Sequence, residues 1–399
     1  MKQLLIFLFV PVLLISCRSE SADKIYYTYP TGSGNYKEGT RVAYLQGSVV
    51  YYGTENDNKD YKALFGANIV SNNYSNGKGV ITFDDDVSLI GSGAFYCNSD
   101  LTSVTIPTKV TSIGSHAFEY CGSITEISIP DGVKEIGYGA FINCYSLERV
   151  NIGNLESWCN IDFRGSGANP LSDGGNLYLK GRLLTEFKTP RTIKQLKHNV
   201  FYGAKCLKSV EITENVTSIG NNAFYDCISL SRVVIPESLK EIKDYAFYSC
   251  ISLKEITIPQ SVSVIGKYAF DNCQSLVEVF IPGGITRIEN SSFNNCPSLS
   301  NVDIAEGVKE IGSNAFSSCK KLTRIILPES INRIEEMAFA GCNLCEIFCK
   351  ATTPPSLGNY AFGDFQIIYV PVGSGNTYRS AWRGKVNPKQ ITEYNFDTL

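Results

Sequence analysis

Apolar residues recur along this chain in a single register. Eleven phenylalanines mark it: Phe95, Phe118, Phe141, Phe201, Phe224, Phe247, Phe270, Phe293, Phe316, Phe339 and Phe362. Nine of the ten steps between them are 23 residues long, and the tenth, Phe141 to Phe201, is 60, one period plus 37 more. A fixed period of this size is the signature of a solenoid, in which no unit buries its apolar face alone and stacked units share one core. An isoleucine stands five before most of these rings, from Ile113 and Ile136 through Ile334. Alanine usually precedes the phenylalanine and cysteine usually follows it by three. Next comes L-x-x-I-x-I-P, as in Leu253–Pro259. Alternation along a strand sends Leu253, Ile256 and Ile258 inward and Glu255 and Thr257 outward. Proline ends the strand because it has no N–H for a continuing ladder. Each unit therefore reads as a short strand, a turn, a second short extended run (V-x-x-I) and a tight Ala-Phe turn.

These motifs together, L-x-x-I-x-I-P, V-x-x-I-G and A-F-x-x-C at a period of 23, resemble the BspA-like leucine-rich repeat surface antigens of bacteria. The resemblance covers roughly residues 81–370, with Phe65–Phe83 and Ile367–Trp382 similar to the family's caps. It implies a β-rich, right-handed leucine-rich-repeat-type solenoid of 23-residue units. One wall is a parallel sheet, and short second strands and turns form the other side. The chain departs from the pattern between Phe141 and Phe201. It departs again at Asn343–Cys349, which is one residue short and puts Cys349 where an inward isoleucine is expected. The expected organisation is a signal peptide over 1–16, a lipid tether and N-terminal cap over 17–80, the solenoid over 81–365 with an insertion at about 151–187, and a C-terminal cap over 366–399. Length alone would allow two or three domains, but the period argues for one elongated body.

Lys2 is followed by an apolar run, Leu4–Ile15, interrupted only by Pro11. That matches a short secretory signal and is too short to span a bilayer, which takes about 20 apolar residues. Leu14-Ile15-Ser16-Cys17 resembles a bacterial lipobox, which would make Cys17 the lipidated first residue of the mature chain. The alternative is an ordinary signal peptide in which Cys17 is incidental. Polar residues Arg18–Lys24 suit a tether off a membrane, and the lipid is the only anchor expected. The expected location is outside the cell's inner compartments, lipid-anchored at the outer membrane and surface-exposed.

A net charge of −3 supplies no basic patch, which argues against nucleic acid as a partner. Charged residues are 19% of the chain, below the usual ~25%, in keeping with a surface of Ser, Thr, Asn and Tyr. Fourteen cysteines in an exported chain raise the question of disulfides. Eight of them, Cys121, Cys144, Cys227, Cys250, Cys273, Cys296, Cys319 and Cys342, hold one repeat position and so form an internal column. Buried free thiols acting as small hydrophobes are the favoured reading. Bridges between neighbouring coils and a metal column are the alternatives. Cys342-x-x-Cys345, with Cys349, has a zinc or redox alternative, but no second pair accompanies it and the chain has only two histidines. The favoured reading is two core sulfurs and a strand-face Cys345. Asp84-Asp85-Asp86 reads as a solvated strand end rather than a calcium loop.

No nucleophile elbow, phosphate-binding loop or H-E-x-x-H is present, so no catalytic residue, metal ligand or cofactor is assigned. What remains is surface. The outward strand position two before each proline runs Thr105, Ser128, Asn151, Glu211, Val234, Thr257, Phe280, Asp303, Ile326. Val234, Phe280, Asp303, Arg324 and Ile326 form a candidate binding ribbon, against the plainer reading of scattered surface apolar residues. The insertion, with Trp158, is the second candidate. Its Asn176–Phe187 stretch also reads as a hairpin turning at Lys180-Gly181 that merely extends the wall. The expected function is non-enzymatic: a lipid-anchored surface protein binding a macromolecular ligand. The resemblance implies adhesion to host matrix or plasma glycoproteins or to other cells. A glycan-capturing or scaffolding lipoprotein of an outer-membrane uptake system is the alternative.

Overall fold

A computed structural model describes residues 24–28, 42–46, 49–53, 61–75, 78–165, 167–362 and 367–398. The expected leader and Cys17 lie outside the described residues. The chain forms two compact units, one running to Leu184 and including Tyr202–Ala204, the other comprising Thr185–Phe201 and Lys205–Leu399.

In the first unit, Ser103–Val104, Glu126–Ile129, Arg149–Ile152 and Asn176–Leu179 line up in parallel to form the strand wall. Its N-terminal end is closed by antiparallel strands. Lys24–Thr28 pairs with Ser103–Val104 on one side and Lys78–Phe83 on the other, and Ile69–Ser75 completes the sheet. A second parallel ladder joins Leu89–Ile90, Ser112–Ile113, Glu135–Ile136 and Asp162–Phe163. The inward isoleucines of both ladders are buried, as at Ile113, Ile127, Ile129 and Ile136. Glycine after the second run is required by the stacking: a Cβ on Gly137 would stand 2.4 Å from the backbone nitrogen of Ser115 one coil below.

The second unit repeats the plan. Its wall is built from Glu186–Lys188, Ser209–Glu211 and Arg232–Val234, then Glu278–Ile281 and Asn301–Ile304, then Arg324–Leu327, Glu346–Cys349, Ile367–Pro371 and Ile391–Tyr394. Between the first two groups the strand at Glu255 reduces to one bridge with Glu278. Leu253, Ile256 and Ile258 point inward and Glu255 and Thr257 outward, as alternation requires.

The phenylalanines form the core's spine. Within the second unit the rings from Phe201 to Phe339 stack coil on coil with centroids 5.2–5.5 Å apart and planes within 6–9° of parallel. Trp382 closes this column, 6.0 Å from Phe362, and donates its indole N–H to the Pro355 carbonyl at 2.8 Å. Cys349 is buried where an isoleucine was expected, its sulfur 3.3 Å from the Tyr378 hydroxyl.

Two left-handed residues flank each core phenylalanine from Phe95 to Phe339, two before and two after. Around Phe247 they are Tyr245 (φ 57) and Ser249 (φ 55). This conformation costs an ordinary residue about 1–2 kcal/mol. It turns three N–H groups toward the next coil: Tyr245 to Lys267 O, Phe247 to Ala269 O and Ser249 to Asp271 O, at 2.8–2.9 Å. The turn side thus has its own inter-coil ladder, which satisfies the backbone donors around Phe247.

The cysteine column is buried and unbridged. Each thiol donates to the carbonyl of the phenylalanine one coil back, for example Cys250 to Phe224 O at 3.2 Å and Cys273 to Phe247 O at 3.3 Å. All eight column positions make this bond. Cys342 and Cys349 are buried and Cys345 is exposed.

The 60-residue step is explained by an extra coil. Asp162–Phe163 continues the second ladder and Asn176–Leu179 continues the wall. A single helical turn, Leu155–Cys159, leads into this coil, capped by the Asn154 side chain accepting from Glu156 N at 2.8 Å. The coil's strand ends in a hairpin with Arg182–Leu183, where Lys180 (φ 50) and Gly181 (φ 77) supply the two left-handed residues of a tight turn.

Candidate functional site

The strand face of the second unit carries the candidate ribbon. Val234 is 38% exposed, Asp303 and Arg324 are exposed, and Phe280 and Ile326 are half-buried on the outer surface. Phe280 stands directly opposite Asp303 across the ladder. Val234 lies two coils before Phe280 with Thr257 between, so it is the outlier of the group.

Beyond Ile326 the outward column becomes aromatic. Ile326 pairs in register with Phe348, and Phe348 with Tyr369. The Phe348 and Tyr369 rings stack 4.5 Å apart, and Tyr394 meets both edge-on at 5.5 and 5.4 Å. Arg324 does not stand as an isolated rim charge: its guanidinium carbon lies 4.4 Å over the Phe348 ring, a cation–π contact. Glu346 accepts from the Tyr369 hydroxyl at 3.5 Å. Sequence reasoning placed Cys349 inward but did not follow the consequence one residue back. The shortened repeat puts Phe348 in the outward register, but Arg324, Tyr369 and Tyr394 pack over its ring and leave it buried.

Trp158 is withdrawn as a docking residue. It is 1% exposed and packs 5.1 Å from Phe163, because the Asn154 cap starts a helical turn that rolls the indole into the first unit's core. The insertion is wall, coil and hairpin, and its one surface aromatic on the strand side, Tyr178, lies 4.0 Å beneath the Arg149 guanidinium.

The second-ladder face of the second unit carries a cluster of charges paired with one another. Arg287 donates to Glu310 at 2.5 Å, to Glu335 at 2.9 Å and to Asn290 at 3.0 Å. These bonds hold the Glu335 carboxyl below its ordinary range. Arg333 adds a further contact to Glu335 at 3.1 Å.

The turn face holds a feature that the repeat reading passed over. Tyr225 and Tyr248 stack at 4.6 Å and 12°, Tyr245 and Tyr268 at 4.7 Å and 6°, and Tyr245 meets Tyr248 at 5.9 Å. All four are half-buried rather than core. The signal was present as tyrosine two before or one after the phenylalanine in consecutive repeats.

Among the described residues no helix is long and apolar enough to cross a membrane. No curated protein matches the chain. Its fold resembles a leucine-rich repeat protein from Bacteroides ovatus, 23% identical over 91% of this chain and 100% of that one, with a TM-score of 0.48. It also resembles a leucine rich cell surface protein from Faecalibacterium prausnitzii, 22% identical over 90% and 96% of the two chains, with a TM-score of 0.38. A leucine-rich repeat protein of T. pallidum is 26% identical over 50% of this chain and 85% of that one, with a TM-score of 0.32. The model of the BspA type leucine rich repeat region matches in 6 copies over residues 72–167, 175–298 and 240–369. With the coil, the phenylalanine spine and the cysteine column repeating through those residues, the chain belongs to the BspA-type leucine-rich repeat family.

Proposed function

We propose that this is a non-enzymatic surface protein, anchored through lipid on Cys17, whose strand face binds a macromolecular partner, a protein or glycoprotein. The observation that carries the reading is the outward column Phe280, Asp303, Ile326 and Tyr369, in which three half-buried apolar and aromatic side chains and one carboxylate share the strand face with Glu278, Arg324 and Glu346 beside them. Aromatic and aliphatic anchors rimmed by charges of both signs are the composition of protein-binding hot spots. Repeat scaffolds present such surfaces on rigid backbones. Adhesion to host matrix or plasma glycoproteins, or to other cells, is the role this surface would serve.

Phe280→Ala and Ile326→Ser are each expected to weaken partner binding by about tenfold or more, ~1.4 kcal/mol, while the melting temperature stays near the parent's. The measurement is surface plasmon resonance against matrix and plasma glycoproteins. If both variants match the parent on a protein the parent binds, the strand face is not the site. The anchor has its own test. Cys17→Ser should move the protein from the membrane fraction to the soluble periplasmic or secreted fraction, since several acyl chains on one residue hold it at ~0.8 kcal/mol per buried CH₂. Continued membrane retention of that variant would remove the lipid from the reading.

A further inference from the structure

We propose that one edge of the second unit's wall, where the chain enters the strands, binds a linear acidic polysaccharide. The site is separate from the strand-face column of Phe280 and Ile326 and does not depend on it. Three positions of the repeat make up this edge, those four, five and seven residues after each core phenylalanine. From the coil of Phe201 to that of Phe316 they supply Lys205, Lys208, Lys254, Lys320 and Lys321, and no acidic residue. The coils stack in register here: Ser231 N donates to Lys208 O, Val277 N to Lys254 O and Ser300 N to Val277 O, at 2.9–3.1 Å. Lys208, Lys254, Lys320 and Lys321 are exposed and Lys205 is half-buried. Among the described residues the four exposed ammonium groups form no ion pair, and Lys205 has the half-buried Asp226 carboxyl as its acidic neighbour. The opposite edge, where the chain leaves the same strands, carries the other sign. The position after the closing proline (Thr213 in one coil) supplies Glu214, Glu237, Glu306 and Glu329, all exposed, against one cation, Arg191. In a chain of net charge −3 the two signs are thus sorted onto opposite edges of one wall, so an anionic polymer is drawn to one edge and repelled by the other.

The residues between the lysines select the polymer. Ser229, Ser275 and Ser298 hold the middle position, half-buried, and Gln274 is exposed beside Ser275. Ser252, in the same column, donates to the Ile228 carbonyl at 2.6 Å. Ammonium, hydroxyl and amide groups are donors of the kind that carboxylate and sulfate oxygens accept from. No aromatic ring occurs at the three positions in these coils, which argues against single-stranded nucleic acid, whose bases are held by stacking. The adjoining column, one position into the strand, holds Glu255 and Glu278 but also Arg232 and Arg324, so it sets no net negative border. Five coil steps at the strand spacing make the strip roughly 24 Å long, and it is only three repeat positions wide. Narrow, extended and free of acid, it fits one linear chain bearing carboxylates or sulfates, where a folded protein would need a broad patch.

The test is biolayer interferometry of the full chain over immobilised polygalacturonate, dextran sulfate and uncharged dextran. At least one of the two acidic polymers should bind the parent, more weakly as salt rises, and dextran should not. The double variants Lys208→Glu, Lys254→Glu and Lys320→Glu, Lys321→Glu should each lose about tenfold or more of that affinity while melting like the parent. Lys208→Arg, Lys254→Arg keeps both charges and should bind as the parent does. Lys240→Glu, Lys309→Glu makes the same change of net charge at exposed positions of the second ladder and should also bind as the parent does. So should Phe280→Ala. The proposal is overturned if neither acidic polymer binds, including the case in which duplex DNA or phosphatidylserine vesicles bind in their place, or if dextran binds equally. It is also overturned if both glutamate variants of the edge bind undiminished, if the second-ladder variant loses as much as they do, or if Phe280→Ala abolishes binding and so places it on the strand face.

Discussion

Phe247→Ala is expected to destabilise the second unit by about 3–5 kcal/mol, the range for truncating a buried aromatic side chain. Phe247 is fully buried and stacks on Phe224 and Phe270, both at 5.2 Å, so its loss opens a cavity that two coils share. Flanking backbone cannot easily collapse into the gap. Tyr245 and Ser249 are held in left-handed conformations by bonds to the next coil, and the Phe247 carbonyl accepts the Cys273 thiol. In a stacked array each coil leans mainly on its neighbours, so the damage should stay near coils 224–270 and split the melting transition. Calorimetry with hydrogen exchange reads both effects. A variant that melts as one transition at the parent's temperature would mean the ring column is not what holds the coils together.

How much of this was legible in the sequence depends on which side of the coil a residue faces. Inward positions repeat because every coil meets the same neighbours above and below, and Phe, Ile and Cys were assigned from spacing alone. The thiol–carbonyl bond was not, because the period shows that a small residue is wanted but not that its sulfur donates. The paired left-handed residues were hinted at by Asn199, Asn222 and Asn314 before the ring and Asn143, Asn272 and Asn295 after it. Tyr245 and Tyr268 in the same places hid the rule, since bulky residues rarely adopt φ above zero. Trp158 failed for a different reason. Its neighbours in sequence are polar, and only the helical turn begun at Asn154 sends it inward. Outward residues are under no periodic constraint, so Phe280 and Ile326 could be placed on the surface but their surroundings could not. The cluster around Phe348 joins residues from four segments, with Tyr394 arriving from the chain's last strand.

The cysteine column makes the second large prediction, and it is read in two ways. Burial pushes the Cys144 and Cys159 thiols up to about 12 and Cys349 to about 11, from 9.0. Cys121 and Cys250 are driven upward by the same desolvation. At pH 8 a thiol at about 12 carries roughly a thousandth of the thiolate of one at 9, and thiolate is the reacting species. Native protein should therefore take up label mainly at exposed Cys345, with half-buried Cys97 and Cys206 slower. Unfolding without reductant should release the whole column. A folded pKa above the unfolded one means that the thiols' contribution is complete below about pH 9. It is lost as pH rises toward 11–12, because only the unfolded chain can ionise them. Each such thiol should withdraw ~1.4 kcal/mol of stability per pH unit across that window. Denaturant midpoints should thus be flat up to about pH 9 and fall steeply above it, with thiolate absorbance appearing only as the fold is lost. Cys144→Ser, which removes one titrating thiol, should make the alkaline limb shallower by about that amount per unit. Few free thiols after unfolding would show the column to be cross-linked, and thiolate absorbance rising while the native signal persists would show it to be open to solvent.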